Sequence, residues 1–194
     1  MKSHIYILLL IVIIIIIILF FVDISVNYKI NGRSFRLRPS IFGDLREKAE
    51  VLYELQTKLD KLVEHLITND IPNKESASRL ASRFKNTELR ETGIFEFNTA
   101  YTLNKGKEIR ICLDHGGKEK LDVNLIMFVL LHEMAHVMSE TYGHNKEFVD
   151  NMDIIVKTAV KIGIYSPTDF SASPGRYCGS NITSSPCNNG MCRI

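Results

Sequence analysis

Residues 125–138 read Leu125-Ile126-Met127-Phe128-Val129-Leu130-Leu131-His132-Glu133-Met134-Ala135-His136-Val137-Met138. The stretch opens almost wholly apolar and follows Asp122, a good N-cap, so it predicts a buried helix from about Asp122 to about Ser139. Side chains four apart on such a helix differ by about 40° of rotation, so His132 and His136 point the same way. Both imidazoles can then reach one zinc ion at about 2.0–2.1 Å. Glu133 is turned about 100° from His132. It stands beside the metal rather than on it, near the water in the open fourth position, whose proton a carboxylate can take. The pattern is that of a zinc-dependent hydrolase with Glu133 as general base.

A catalytic zinc needs a third protein ligand. His144 is the best candidate, arriving after Gly143, where the chain can turn back toward the helix. Ser139 and Tyr142 stand where the metzincin pattern would place Gly and His, and no Glu follows Glu147. Asp150, Asp153 and Asp169 remain as rivals, and His144 as a helix-capping residue is the structural alternative.

Outward from this core the periodicity predicts further elements. A second helix starts near Asn145, carries Phe148, Val149, Met152, Ile155, Val156, Ala159 and Val160 inward, and ends at Gly163. From Asp44 to about Ile67 the leucines at 45, 52, 55, 59, 62 and 66 form an amphipathic stripe. Barely three heptads are present, which favours a core helix over a coiled-coil seam. A shorter helix is expected from Glu75 to about Arg90. Gly93–Phe97, Ala100–Leu103 and Glu108–Leu113 alternate as β-strands, with turn chemistry at 104–107. The fold class is α+β: a small antiparallel sheet amid helices that include the one bearing His132-Glu133-x-x-His136.

The segment LHEMAHVMSETYGHNKEF (131–148) resembles the active-site region of SprT-like and WLM zinc peptidases. The wider stretch from about Tyr101 to Pro186, with YTLNKGKEIRICL, GIYSP and RYCG, is similar to uncharacterised metallopeptidases of large DNA viruses. The resemblance implies a zincin-like fold and a third histidine ligand at His144. It also implies an aromatic residue, here Phe148, packing on the site. The strand before the active-site helix, here Glu108–Leu113, would offer its edge to an extended substrate. No DNA-binding module is expected downstream.

The N-terminal run Ile5–Val22 carries no charged side chain. As a helix it spans roughly 27 Å, close to the hydrocarbon thickness of a bilayer, and no small-residue cleavage site follows it. It predicts one transmembrane anchor, making the chain a single-pass protein of a host or virion membrane. Lys29, Arg33, Arg36 and Arg38 after the run favour a cytosolic domain by the positive-inside rule. Cys178, Cys187 and Cys192 with the sequon Asn181-Ile182-Thr183 pull toward an oxidising exterior. Cys112, alone in a β-like stretch, reads as a small buried hydrophobe.

The expected organisation is a short N-terminus at 1–4, the anchor at 5–22 and a basic juxtamembrane segment at 23–43. A zincin-like domain at 44–166 and a cysteine-containing tail at 167–194 complete it. Net charge is +2 over 194 residues, so charge points to no nucleic-acid partner. The reading is a membrane-anchored zinc metallopeptidase acting on protein or peptide substrates. The alternative is a catalytically silent, zinc-stabilised interaction or scaffold module. His115, Tyr142, Tyr165, Arg176 and Tyr177 are all candidate oxyanion donors, and the oligomeric state stays open.

Overall fold

The computed structural model describes residues 2–21, 25–39, 44–69, 71–93, 96, 98–114 and 121–184. Helix α1 (Lys2–Phe21) is followed by a hairpin of strands β1 (Val26–Ile30) and β2 (Arg33–Leu37). Asn31 and Gly32 both take left-handed backbone, as a two-residue hairpin loop that follows the strand twist requires. The hairpin buries Phe35 and Leu37 in the core, and Arg33 pairs with Asp60 at 2.6 Å.

The leucine-striped segment forms α2 (Leu45–Thr68), capped by the Asp44 side chain accepting from the Arg46 N–H. Leu52, Leu55, Leu59, Leu62 and Leu66 are buried, so this is a core helix. Helix α3 (Lys74–Phe84) then ends earlier than expected, and residues 88–91 form strand β3 (Glu88–Glu91). Its partner explains the difference. β3 pairs in parallel with β5 (Glu108–Ile111), which pairs antiparallel with β4 (Ala100–Leu103). The sheet is therefore mixed rather than antiparallel, in the order β3-β5-β4. This also corrects the expected substrate edge, because β5 is the central strand and β4 lies at the border. Of the strand expected over Gly93–Phe97, positions 94, 95 and 97 lie outside the described residues. Gly93 and Glu96 are not in strand.

Helix α4 (Val123–Met138) is buried along most of its length and lies against α3, α5 (Lys146–Lys161) and β4. Asp122 caps it by accepting from the Asn124 and Leu125 N–H groups. The hairpin of β6 (Gly175–Tyr177) and β7 (Ser180–Ile182) closes the described fold, and Tyr177 is fully buried.

Cys112 is not a lone thiol: it is disulfide-bonded to Cys178, 66 residues away. Tyr177 Oη donates to the Cys112 carbonyl at 2.9 Å beside that bond. Cys187 and Cys192 lie outside the described residues. Behind the sheet, Lys48 Nζ meets Glu91 Oε1 at 2.7 Å in full burial, and the Arg38 N–H donates to the other Glu91 oxygen. Both polar ends of this buried pair are answered, as burial of charge demands.

The expected anchor and single-pass placement are corrected. Among the described residues, no helix is long and apolar enough to cross a membrane.

The turn joining β4 to β5 lies against the end of α4. Gly106 has φ +101°, and a Cβ there would stand 2.7 Å from Val137 Cγ1. Gly106→Ala is therefore expected to destabilise the chain by about 2 kcal/mol, from overpacking and an unfavourable backbone conformation. Thermal unfolding measures it: an unchanged midpoint would show that the turn does not bear on α4.

Candidate metal centre

His132 and His136 project from one face of α4, next to the sheet border. His144 comes from the irregular segment that links α4 to α5, one residue before the Asn145 N-cap. The three imidazole rings form a near-equilateral triangle, with centroid separations of 5.0, 4.9 and 4.9 Å. One nitrogen from each ring lies within 4.8 Å of the other two, and His132 Nε2 and His144 Nε2 are 3.0 Å apart. Beneath them Phe148 contacts all three rings, with centroids at 4.9, 4.4 and 4.7 Å. The Phe148 N–H donates to the Asn145 side chain, so one capping bond seats both the aromatic floor and the start of α5.

Electrostatics suit a cation here. Burial and then the neighbouring His136 and His144 push His132 down to about 4, and burial, His144 and Lys105 push His136 down to about 4. Both rings are therefore neutral near pH 7, the form that ligates a metal. Three convergent nitrogens over a buried aromatic floor fit a metal ion, and the triad could hold one.

Glu133 is buried beside the triad, and its Oε2 accepts from Thr102 Oγ1 at 2.8 Å. Burial pushes its carboxyl up to about 7, while the Thr102 hydrogen bond works the other way. A cleft of about 390 Å³ opens over these groups. Ala100, Tyr101 and Thr102 of β4, Asn104 and Lys105 of the following turn, and Tyr142 line it.

The other candidates are placed elsewhere. Asp150 and Asp153 pair with Lys146 and Lys157 on α5, at 2.6 and 2.7 Å, and Asp169 accepts from the Ser171 N–H. Of the oxyanion candidates, Tyr142 lines the cleft. Tyr165 is buried with its ring stacked on Phe128, and Tyr177 is buried beside the disulfide. Arg176 is exposed on β6, and His115 lies outside the described residues. Sequence reasoning missed Thr102, which sits in an ordinary β-like run. Only the pairing of β4 beside α4 brings it to Glu133.

A model of the WLM domain matches residues 72–190, more than half of the chain. The chain belongs to the WLM family. That membership bears out the resemblance read from residues 131–148. Viral proteins are among its relatives. An uncharacterized protein of Acanthamoeba polyphaga mimivirus is 30% identical over 141 residues, covering 72% of this chain and 68% of the relative. An uncharacterized protein of Invertebrate iridescent virus 3 is 40% identical over 75 residues, covering 38% of this chain and 46% of the relative. Among solved structures, Wss1 from Saccharomyces cerevisiae aligns at TM-score 0.36 and 23% identity, over 47% of this chain and 76% of that one. That likeness is too slight to bear on the chemistry. In this WLM chain the matched residues include the whole triad, Glu133 and the Thr102 contact.

Proposed function

We propose that the chain is a zinc metallopeptidase that hydrolyses peptide bonds in extended protein segments, with His132, His136 and His144 holding the metal. One observation carries the reading: a buried glutamate, oriented by a hydrogen bond, stands beside three convergent imidazoles at the floor of an open cleft. A purely structural zinc site would close its fourth position with another Cys or His and would have no use for that carboxylate. Zinc held there supplies a Lewis acid that polarises a carbonyl and acidifies a water.

The protein's own part follows from the geometry. Thr102 fixes Glu133 Oε2, which leaves Oε1 to take the proton of the attacking water and deliver it to the departing amine nitrogen. Burial in a low-dielectric wall raises the carboxyl toward neutrality and suits it to both steps. Border strand β4 runs along the cleft, where an extended peptide can add as a further strand. Its backbone would be read by β4, with the scissile carbonyl over the triad.

The reading is tested on the full chain by bound zinc and by cleavage of unstructured peptides. Zinc binding without hydrolysis would support the interaction-module alternative. A finer check concerns Thr102→Val, which keeps shape and loses the hydroxyl. It should lower kcat about tenfold, the worth of one hydrogen bond to a charged group, with zinc content unchanged. Undiminished kcat would show that Thr102 does not orient Glu133.

A further inference from the structure

The segment from Ser139 to Asn145 delivers the third histidine, yet it belongs to no helix or strand. Its backbone groups must find partners outside regular structure. Several of the partners they find are charged. Glu147, in the first turn of α5, accepts from the Glu140 N–H at 2.7 Å, the Thr141 N–H at 3.0 Å and Thr141 Oγ1 at 2.6 Å. Burial works against this carboxylate, but those donors and Arg79 hold it down to about 2. From the opposite side Lys105 Nζ donates to the Thr141 carbonyl at 2.6 Å and stands 3.7 Å from the centre of the Tyr142 ring. The root of the loop is held as well. Arg83 Nη1 donates to the Val137 and Ser139 carbonyls at 2.7 and 2.8 Å, and Arg79 Nη1 to the Met138 carbonyl at 3.0 Å. Thr141 is thus gripped through both its N–H and its C=O, three residues before His144.

The backbone of Lys105 is the second observation. It has φ 55°, between Asn104 at 46° and Gly106 at 101°. Asparagine and glycine adopt left-handed backbone readily, and a lysine does so rarely. Nothing in the turn itself calls for lysine at this position. Its ammonium on the Thr141 carbonyl does, and charge-assisted bonds of this kind are the stronger class.

We infer that Lys105 and Glu147 are positioning residues for the third metal ligand. Clamping Thr141 between a cation and a carboxylate presets the loop, so that His144 meets His132 and His136 without a search through loop conformations. The inference rests on the three-histidine reading above. Glu147 acts through the loop, and Lys105 through the loop as well as by its charge near His136, so their effect is on how tightly the metal is kept.

The test measures zinc affinity of the full chain by competition with a chromogenic chelator, alongside thermal unfolding of the metal-free chain. Glu147→Gln and Lys105→Gly should each weaken zinc by about tenfold or more, the range found when outer-shell support of a ligand is lost. Lys105→Arg, which keeps a cation at the carbonyl, should recover most of that loss. Lys105→Gly is the sharper variant, because glycine suits this backbone better than lysine. Its metal-free chain should unfold at or above the wild-type temperature while still losing zinc affinity, a combination that a merely structural lysine cannot produce. Affinities within about twofold of wild type in both variants would overturn the clamp. Weakened zinc that only tracks a lowered unfolding temperature would overturn it too. A wild-type chain that takes up no zinc would remove the three-histidine reading itself, and the clamp with it.

Discussion

Glu133→Gln is expected to keep its zinc and to lose peptide hydrolysis by about a hundredfold or more, the order associated with removing a general base. The amide is nearly isosteric and can still accept from Thr102, so the wall of the cleft stays intact. What disappears is the capacity to take a proton from water, and no neighbour replaces it. His132 and His136 are committed to the metal in this reading, and Lys105 is bound to the Thr141 carbonyl. A hundredfold loss corresponds to about 2.7 kcal/mol of transition-state stabilisation. Metal content and single-turnover cleavage, measured on the same preparation, separate the two effects. A mutant that cleaves at the wild-type rate would sink the assignment, whereas one that loses zinc would show that Glu133 supports the site structurally.

The second large effect concerns the ligand set. His144→Ala should strip zinc about as severely as His136→Ala, because each leaves only two nitrogens and a two-ligand site binds weakly. Asp150→Ala, Asp153→Ala and Asp169→Ala should each retain a full equivalent. The structure explains the contrast: the first two carboxylates are spent on lysines of α5 and the third on a turn. Phe148→Ala would make a poorer test, because its ring touches all three histidines and its loss disturbs the whole floor. Elemental analysis of the purified variants decides the matter. Stoichiometric zinc in His144→Ala, with loss in one Asp variant, would move the chain out of the three-histidine class.

Much of the site was legible because its signals are local. The two α4 histidines and Glu133 fall on one helix, where spacing alone sets direction. The cap at Asp122 reads directly, since its side chain accepts from N–H groups two and three residues on. His144 was favoured over three carboxylates by its place after Gly143, which has φ +83°, and the centroid distances now set it in the triangle. Lys105 and Glu147 gave no such signal: nothing in a turn lysine or a first-turn glutamate announces a shared partner at Thr141.

By itself the sequence determined the amphipathic core helix α2, the buried helix α4, the H-E-x-x-H spacing on it and the kinship with the WLM family. Each depends on periodicity or spacing within a few residues, where backbone geometry converts sequence distance into direction. The tertiary structure alone decided the rest. Residues 88–91 carry three charged side chains and read as a helix end, yet they form a strand because β5 offers a parallel partner and Lys48 answers Glu91. Cys112 finds Cys178 across 66 residues, and β5 becomes central only once β3 has paired with it. The apolar run at the N-terminus suggested a span, yet among the described residues no helix is long and apolar enough to cross a membrane. Such pairings join groups far apart in the chain, and their partners are chosen by packing after collapse, so no local pattern encodes them.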